Sequence, residues 1–161
     1  MLAIVGALKS PAQHLWFLDT LVSIHVSAST GTDGISLIEH YAPYADSPPL
    51  HLHVNEDEVF YVLEGELRMQ TERDAQHLSA GQSLLAPKGV PHTYRVESRQ
   101  GARWLTVTTR GDFERFVRAL GRPAERQELP PPAGAPTPEA IRALTETAHA
   151  HGIEIVGPPL H

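Results

Sequence analysis

His51 and His53 stand on alternate residues in the stretch HLHVNEDEVFYVLEGELRM, and Glu58 follows five positions after the second. Imidazoles and a carboxylate at close spacing are the donors that borderline divalent ions take, so the stretch raises metal chemistry. On an extended strand alternate residues share a face, which places His51 and His53 together and Leu52 opposite. Glu58 is an odd number of residues from His53, so a continuous strand would send it to the other side. Residues 54–57 must turn or bulge if Glu58 is to rejoin the histidines, and Asn55 and Asp57 tolerate a turn. Past Glu58, Phe60 and Val62 share its face, while Val59, Tyr61 and Leu63 take the other. Both faces are apolar, so this strand is expected to be covered on both sides. Imidazoles and a carboxylate on a buried strand need partners or a metal.

A fourth donor, His92, lies in GQSLLAPKGVPHTYRV. Gly81 opens a turn, SLLAP reads as a short buried strand, and Pro87, Gly89 and Pro91 fix a tight connection. His92 then begins a strand with Tyr94 and Val96 on its own face. Three imidazoles and one carboxylate suit Fe, Mn, Co, Ni, Cu or Zn, and they leave room for water, substrate or dioxygen on an octahedral ion.

The elements that must position these residues read as follows. Residues 21–109 divide into runs of four to eight residues, rich in β-branched and aromatic types and bounded by Gly, Pro, Asp or Ser. In LVSIHVSA, Val22, Ile24 and Val26 alternate onto one face. Strands at this spacing with no helix between them predict an all-β sandwich or barrel. After Arg110, Phe113, Phe116, Val117 and Leu120 fall at helical spacing, with Asp112 as expected N-cap and Gly121 as the stop. A Pro-rich linker follows. A second helix is expected from Thr137, with Pro138 first, an apolar face of Ile141, Leu144 and Ala148, and Gly152 at its end. The expected organisation is an N-terminal arm over 1–20, a β-barrel over 21–110, and C-terminal helices with their linker over 111–161.

The bulk numbers exclude several classes. A chain of 161 residues suits one compact domain with a tail. A net charge of −6 argues against nucleic-acid binding, which needs clustered Lys and Arg. There is no cysteine, hence no disulfide, thiolate ligand or Cys nucleophile. MLAIVGALKS is apolar but has no basic residue ahead of its apolar run and is too short to span a membrane. The expectation is a cytoplasmic protein with no membrane and no nucleic-acid partner.

The two histidine-bearing stretches resemble the paired motifs of the cupin superfamily. The first motif reads G(X)5HXH(X)4E(X)6G, and the chain supplies His51, His53, Glu58 and Gly65, with Ala45 in place of the opening glycine. The second reads G(X)5PXG(X)2H(X)3N, and the chain supplies Gly81, Pro87, Gly89 and His92, with Val96 where asparagine is usual. The resemblance covers roughly residues 20–110. It implies a double-stranded β-helix, or jelly-roll, barrel with short C-terminal helices, enclosing one divalent metal on His51, His53, Glu58 and His92. The single barrel with two C-terminal helical segments further resembles quercetin-dioxygenase-like bacterial monocupins. That likeness implies a dioxygenase acting on a flavonol, phenolic or enolic small molecule with dioxygen, Glu58 serving both as ligand and as catalytic base. Cupins also include metal-dependent cyclases, isomerases and decarboxylases, and small-molecule binding proteins. They commonly form homodimers, and the same is expected here.

Other residues receive plainer readings. Phe60 and Tyr94 follow ligands by two residues on the ligand face, so they either line an aromatic substrate pocket or fill the barrel. Trp104 and Tyr61 read as core or interface. His14, His25, His40, His77, His149, His151 and His161 read as isolated histidines that satisfy themselves with a hydrogen bond. Glu56, Asp57, Glu64 and Glu66 read as a solvated strand edge.

Overall fold

The computed structural model describes residues 11–71 and 74–161, and the first ten residues of the expected arm lie outside them. The strands in chain order are β1 (Gln13–Phe17), β2 (Thr20–Val26), β3 (Ser36–Ala42), β4 (His51–His53), β5 (Glu58–Glu64) and β6 (Glu66–Thr71). They continue with β7 (Ala75–Ser79), β8 (Ser83–Ala86), β9 (His92–Val96) and β10 (Ala102–Thr108). Helix α1 (Asp112–Leu120), the short β11 (Arg122–Pro123), helix α2 (Pro138–Ala150) and β12 (Ile153–Ile155) complete the order. The strands form two antiparallel sheets, ordered β11-β1-β2-β3-β10-β5-β8 and β12-β4-β9-β6-β7. This is the all-β architecture that the strand spacing predicts, in the jelly-roll form that the resemblance implies.

Alternation sets the inward face. Along β3 and β10 every second residue is buried, so Ser36, Ile38, His40 and Ala42 face inward beside Ala102, Trp104, Thr106 and Thr108. Phe60, Val62, Leu67, Met69, Val96 and Trp104 anchor one core between the sheets. A second core lies under the helices, where Phe113, Phe116 and Val117 of α1 meet Leu15, Phe17, Val22, Ile24 and Ile38. Burying each such side chain contributes about 1.5–3 kcal/mol, enough to dock a helix of nine residues that would not persist alone. No helix among the described residues is long and apolar enough to cross a membrane.

Several local expectations change. Residues 13–17, within the segment read as an arm, form β1, because Leu15, Trp16 and Phe17 are buried against its neighbours. Val26 does not follow Val22 and Ile24 inward: the β2–β3 register shifts between Ile24 and Val26, and Val26 turns outward. β8 is an edge strand rather than a buried one, with Leu85 55% exposed. β5 is covered on one side only, for Tyr61 on its outer face is 42% exposed. Gly111, in a left-handed conformation, takes the N-cap position expected of Asp112, which instead begins α1. Thr137 caps α2 as expected, its side chain accepting from the amide of Ala140, but Ile141 faces solvent.

Candidate metal centre

The odd spacing between His53 and Glu58 has a simple structural cause. β4 and β5 belong to different sheets, so residues 54–57 carry the chain across the barrel rather than bulging within one strand. Glu58 thus approaches the histidines from the opposite wall. His92 joins them through direct pairing, since His51 and His92 are register partners on β4 and β9. The connection before His92 is tied down by Gly89, whose amide donates to the carbonyl of His53 at 2.8 Å.

All four predicted donors meet. One ligand atom from each of His51, His53, Glu58 and His92 can be chosen so that all lie within 4.8 Å of one another. Glu58 Oε2 is 3.0 Å from His92 Nε2 and 3.2 Å from His53 Nε2. Two ligand atoms each about 2.1 Å from one ion lie roughly 3–4 Å apart, so small side-chain adjustments suffice.

The outer nitrogens decide how well this set fits a cation. His51 Nδ1 donates to the carbonyl of Pro49 at 2.7 Å, and His92 Nδ1 to the carbonyl of Val90 at 3.0 Å. His53 Nδ1 lies 3.2 Å from Glu56 Oε1. Each acceptor holds a proton on Nδ1, so that Nε2 is the atom left to face an ion, the arrangement found around metal-bound histidines. His53 Nε2 is buried without a hydrogen-bond partner among the described residues. The donor chemistry therefore fits a divalent transition metal.

The charges agree. Burial, with the His92 and His53 imidazoles beside it, pushes His51 down to about 3, so it is neutral. Burial disfavours charge on Glu58, yet the adjacent His53 imidazole and the hydrogen bond with His92 hold its carboxyl well below the usual range. Burial likewise opposes charge on His53, but Glu58 and Glu56 raise it to about 10. A divalent cation held by these residues would supply the positive charge that Glu58 otherwise draws from a proton on His53.

Glu56 does not belong to a solvated edge. It is 1% exposed and lies under the N-terminus of α1, where Oε1 accepts from the Phe113 amide at 2.7 Å and Oε2 from the Asp112 amide at 3.2 Å. Asp57, Glu64 and Glu66 are exposed as read. His40 also departs from its plain reading. It is buried, stacks on Trp104 at 5.0 Å between ring centroids, and its Nε2 has no partner among the described residues. Burial lowers its pKa to about 4, although Glu58 and Glu39 pull the other way. Trp104 Nε1 and Thr106 Oγ1 are likewise buried and unpartnered. His14, His25, His149 and His151 find hydrogen bonds as expected, to Ser23, Glu39, Glu154 and the carbonyl of Thr147.

Phe60 sits beside the four-residue cluster, and Tyr94 beside Phe60. Phe60 meets the His92 ring edge-on at 6.0 Å and Tyr94 at 6.4 Å, and Tyr94 packs edge-on to Trp104 at 4.9 Å. Tyr94 donates its hydroxyl proton to Asp46 Oδ2 at 3.1 Å.

Comparison with known proteins gives this arrangement its class. The family model described as Cupin domain matches residues 37–108, which hold all four donors. Residues 37–108 are a cupin domain. It is 34% identical over 106 residues to quercetin 2,3-dioxygenase of Bacillus subtilis (strain 168), a match that covers 65% of this chain and 31% of that protein. The chain thus spans under a third of that relative's length. Among solved structures it resembles an RmlC-like cupin from Shewanella frigidimarina NCIMB 400, at 16% identity and TM-score 0.52, covering 61% of this chain and 84% of that one. It also resembles the polyketide cyclase RemF of Streptomyces resistomycificus, at 23% identity and TM-score 0.51, covering 68% and 80%. The two structural likenesses bear on fold alone.

Proposed function

We propose that this protein is a metal-dependent cupin enzyme, a quercetinase-like dioxygenase acting on a flavonol or another phenolic or enolic small molecule. The observation that carries the reading is the donor set itself: three Nε2 atoms freed by Nδ1 acceptors and one carboxylate, gathered inside the barrel. The Bacillus subtilis relative favours an oxidative reaction over the non-oxidative cyclase, isomerase or decarboxylase chemistry open to the same ligands. His51, His53, Glu58 and His92 hold the metal, which is Fe, Mn, Ni, Co, Cu or Zn. Bound there, it supplies Lewis acidity toward a substrate hydroxyl or enol oxygen.

The protein's own groups do the rest. Glu58 accepts the substrate's hydroxyl proton at a carboxylate oxygen, a role its low pKa suits only when the substrate hydroxyl is itself acidified. Phe60 and Tyr94 present aromatic faces to a planar substrate. His40 Nε2, Trp104 Nε1 and Thr106 Oγ1 offer hydrogen bonds from the inward face to its oxygens. Dioxygen is the co-substrate. Tyr61 and Leu85, with Val59, Leu105 and Val107 around them, make the outer face of the first sheet apolar, and this is the face assigned to a homodimer.

Elemental analysis of the purified protein followed by an oxygen-electrode screen of flavonols and catechols tests the reading. Stoichiometric metal and substrate-dependent oxygen uptake are expected. Product formation without oxygen uptake would replace the oxidative reaction by a non-oxidative one. Substrate binding without any turnover would make the protein a binding module.

A further inference from the structure

We propose that Glu56 is a positioning residue that couples the docking of α1 to the cation affinity of the His51–His53–Glu58–His92 centre. The inference rests on the reading that these four residues hold a metal. Glu56 faces three groups: the Nδ1 of His53, the amide of Phe113 and the amide of Asp112. The two amides can only donate, and Oε1 receives both the Phe113 amide and His53 Nδ1. A carboxylate only accepts, so all three contacts are satisfied together only when His53 carries its proton on Nδ1. With Nδ1 so engaged, Nε2 is the atom left to face an ion, on the side where Glu58 Oε2 lies 3.2 Å away.

The same carboxylate serves the helix. Gly111 offers no side-chain cap to α1, so Glu56 takes two of its free amides in place of a local cap, at the positive end of the helix dipole. The Phe113 ring also packs 5.7 Å from the His53 ring. Helix and ligand are therefore held by one buried group. Whatever tightens the His53 ring tightens the first turn of α1, and by linkage the reverse holds.

Glutamine at this position has the right length but one acceptor oxygen. Its amide nitrogen must then face a donor, or bond to His53 Nδ1 and drive the imidazole proton to Nε2, where it blocks a metal. Glu114 provides the matching control. It is a buried carboxylate on the same helix, accepting from Ser27 Oγ and the Ala28 amide at 2.6 Å each, and it contacts none of the four donors.

The test uses the full chain and Zn2+ alone, titrated against a chelating indicator. Glu56→Gln is expected to bind Zn2+ about 10–100-fold more weakly than wild type. With Zn2+ bound, His53 of the wild type should show the 15N pattern of a protonated Nδ1 and a metal-bound Nε2, and Glu56→Gln should lose it. Glu114→Gln should lower Tm and leave Zn2+ affinity unchanged. In the wild type, Zn2+ should slow hydrogen exchange at the amides of Asp112 and Phe113. Unchanged affinity in Glu56→Gln, or an equal loss in Glu114→Gln, overturns the inference while the metal reading stands. If Glu56→Gln does not fold, the exchange measurement decides, and unaltered protection of the two amides on Zn2+ binding overturns it. Failure of the wild type itself to bind Zn2+ removes the metal reading and this inference with it.

Discussion

The amide of Ala45 donates to the carbonyl of Val96 at 3.0 Å, and the amide of Val96 donates to the carbonyl of Asp46 at the same distance. These are the two positions at which the chain departs from the cupin motifs, so both departures fall at one contact between the loop before β4 and the end of β9. Val96 is fully buried in the core between the sheets, where it fills space. Ala45 has φ of 68°, a left-handed conformation that a Cβ disfavours. The motif's glycine position keeps its backbone here and lacks its residue.

Ala45→Gly should therefore stabilise the protein. Left-handed backbone costs a non-glycine residue about 1–2 kcal/mol, and the added freedom of glycine in the unfolded chain takes back about 0.4–1. Ala45 is exposed, so no packing is lost. Urea denaturation should show a gain of about 0.5–1 kcal/mol. A loss of stability would mean that the turn carries no strain.

Asp46 should give stability a slope in mildly acid solution. Burial raises its carboxyl from 3.8 to about 6, against the lowering effect of the hydrogen bond from Tyr94. Between pH 4 and 6 the unfolded chain has released this proton while the folded protein still holds it. The folded state then binds more protons, so stability falls as pH rises through that window and levels off above it. In Asp46→Asn this contribution disappears. Denaturation midpoints across pH 4–8 should fall for the wild type relative to the variant, most steeply below pH 6, and parallel curves would refute the assignment.

Glu58→Gln separates holding the metal from moving the proton. The amide oxygen can still ligate, but it cannot take a proton from the substrate. Removing a general base typically costs about 10²–10⁴ in rate. The variant should retain metal by elemental analysis, at reduced affinity, and lose turnover by that factor. Unchanged turnover with metal retained would rule out Glu58 as the base.

The four donors were legible in the amino-acid sequence because alternation and motif spacing are local properties. His51 and His53 need only a strand, and Gly81, Pro87 and Gly89 constrain where His92 emerges. Gly65 marks its turn equally well, since its φ is +80° and a Cβ there would fall 2.7 Å from the carbonyl oxygen of Gly101. Glu56 was hidden for the opposite reason. It stands in an acidic run, and its helix partners are 56 and 57 residues away at the start of α1. No periodicity connects the two. Likewise, the parity of His53 and Glu58 can be read as a bulge or as a passage between sheets, and only the sheet order distinguishes them. The isolated His40 carries no local sign that its cross-strand partner is Trp104.

Thr106 tests whether the unpartnered inward groups serve a ligand or are merely poorly satisfied core. It lies between Ile38 and Phe60 on the neighbouring strands, and its hydroxyl is buried without a partner among the described residues. Thr106→Val keeps the shape and removes the hydroxyl. In the free protein nothing is lost, and removing an unpaired buried polar group should leave stability unchanged or raise it by about 1 kcal/mol. With substrate bound, a hydrogen bond worth about 1 kcal/mol disappears, so KM should rise about fivefold. The two effects have opposite signs only if the hydroxyl waits for an oxygen that the substrate brings. A more stable variant with unchanged KM would assign Thr106 to the core alone, and a less stable one would show that the hydroxyl is already satisfied within the folded protein.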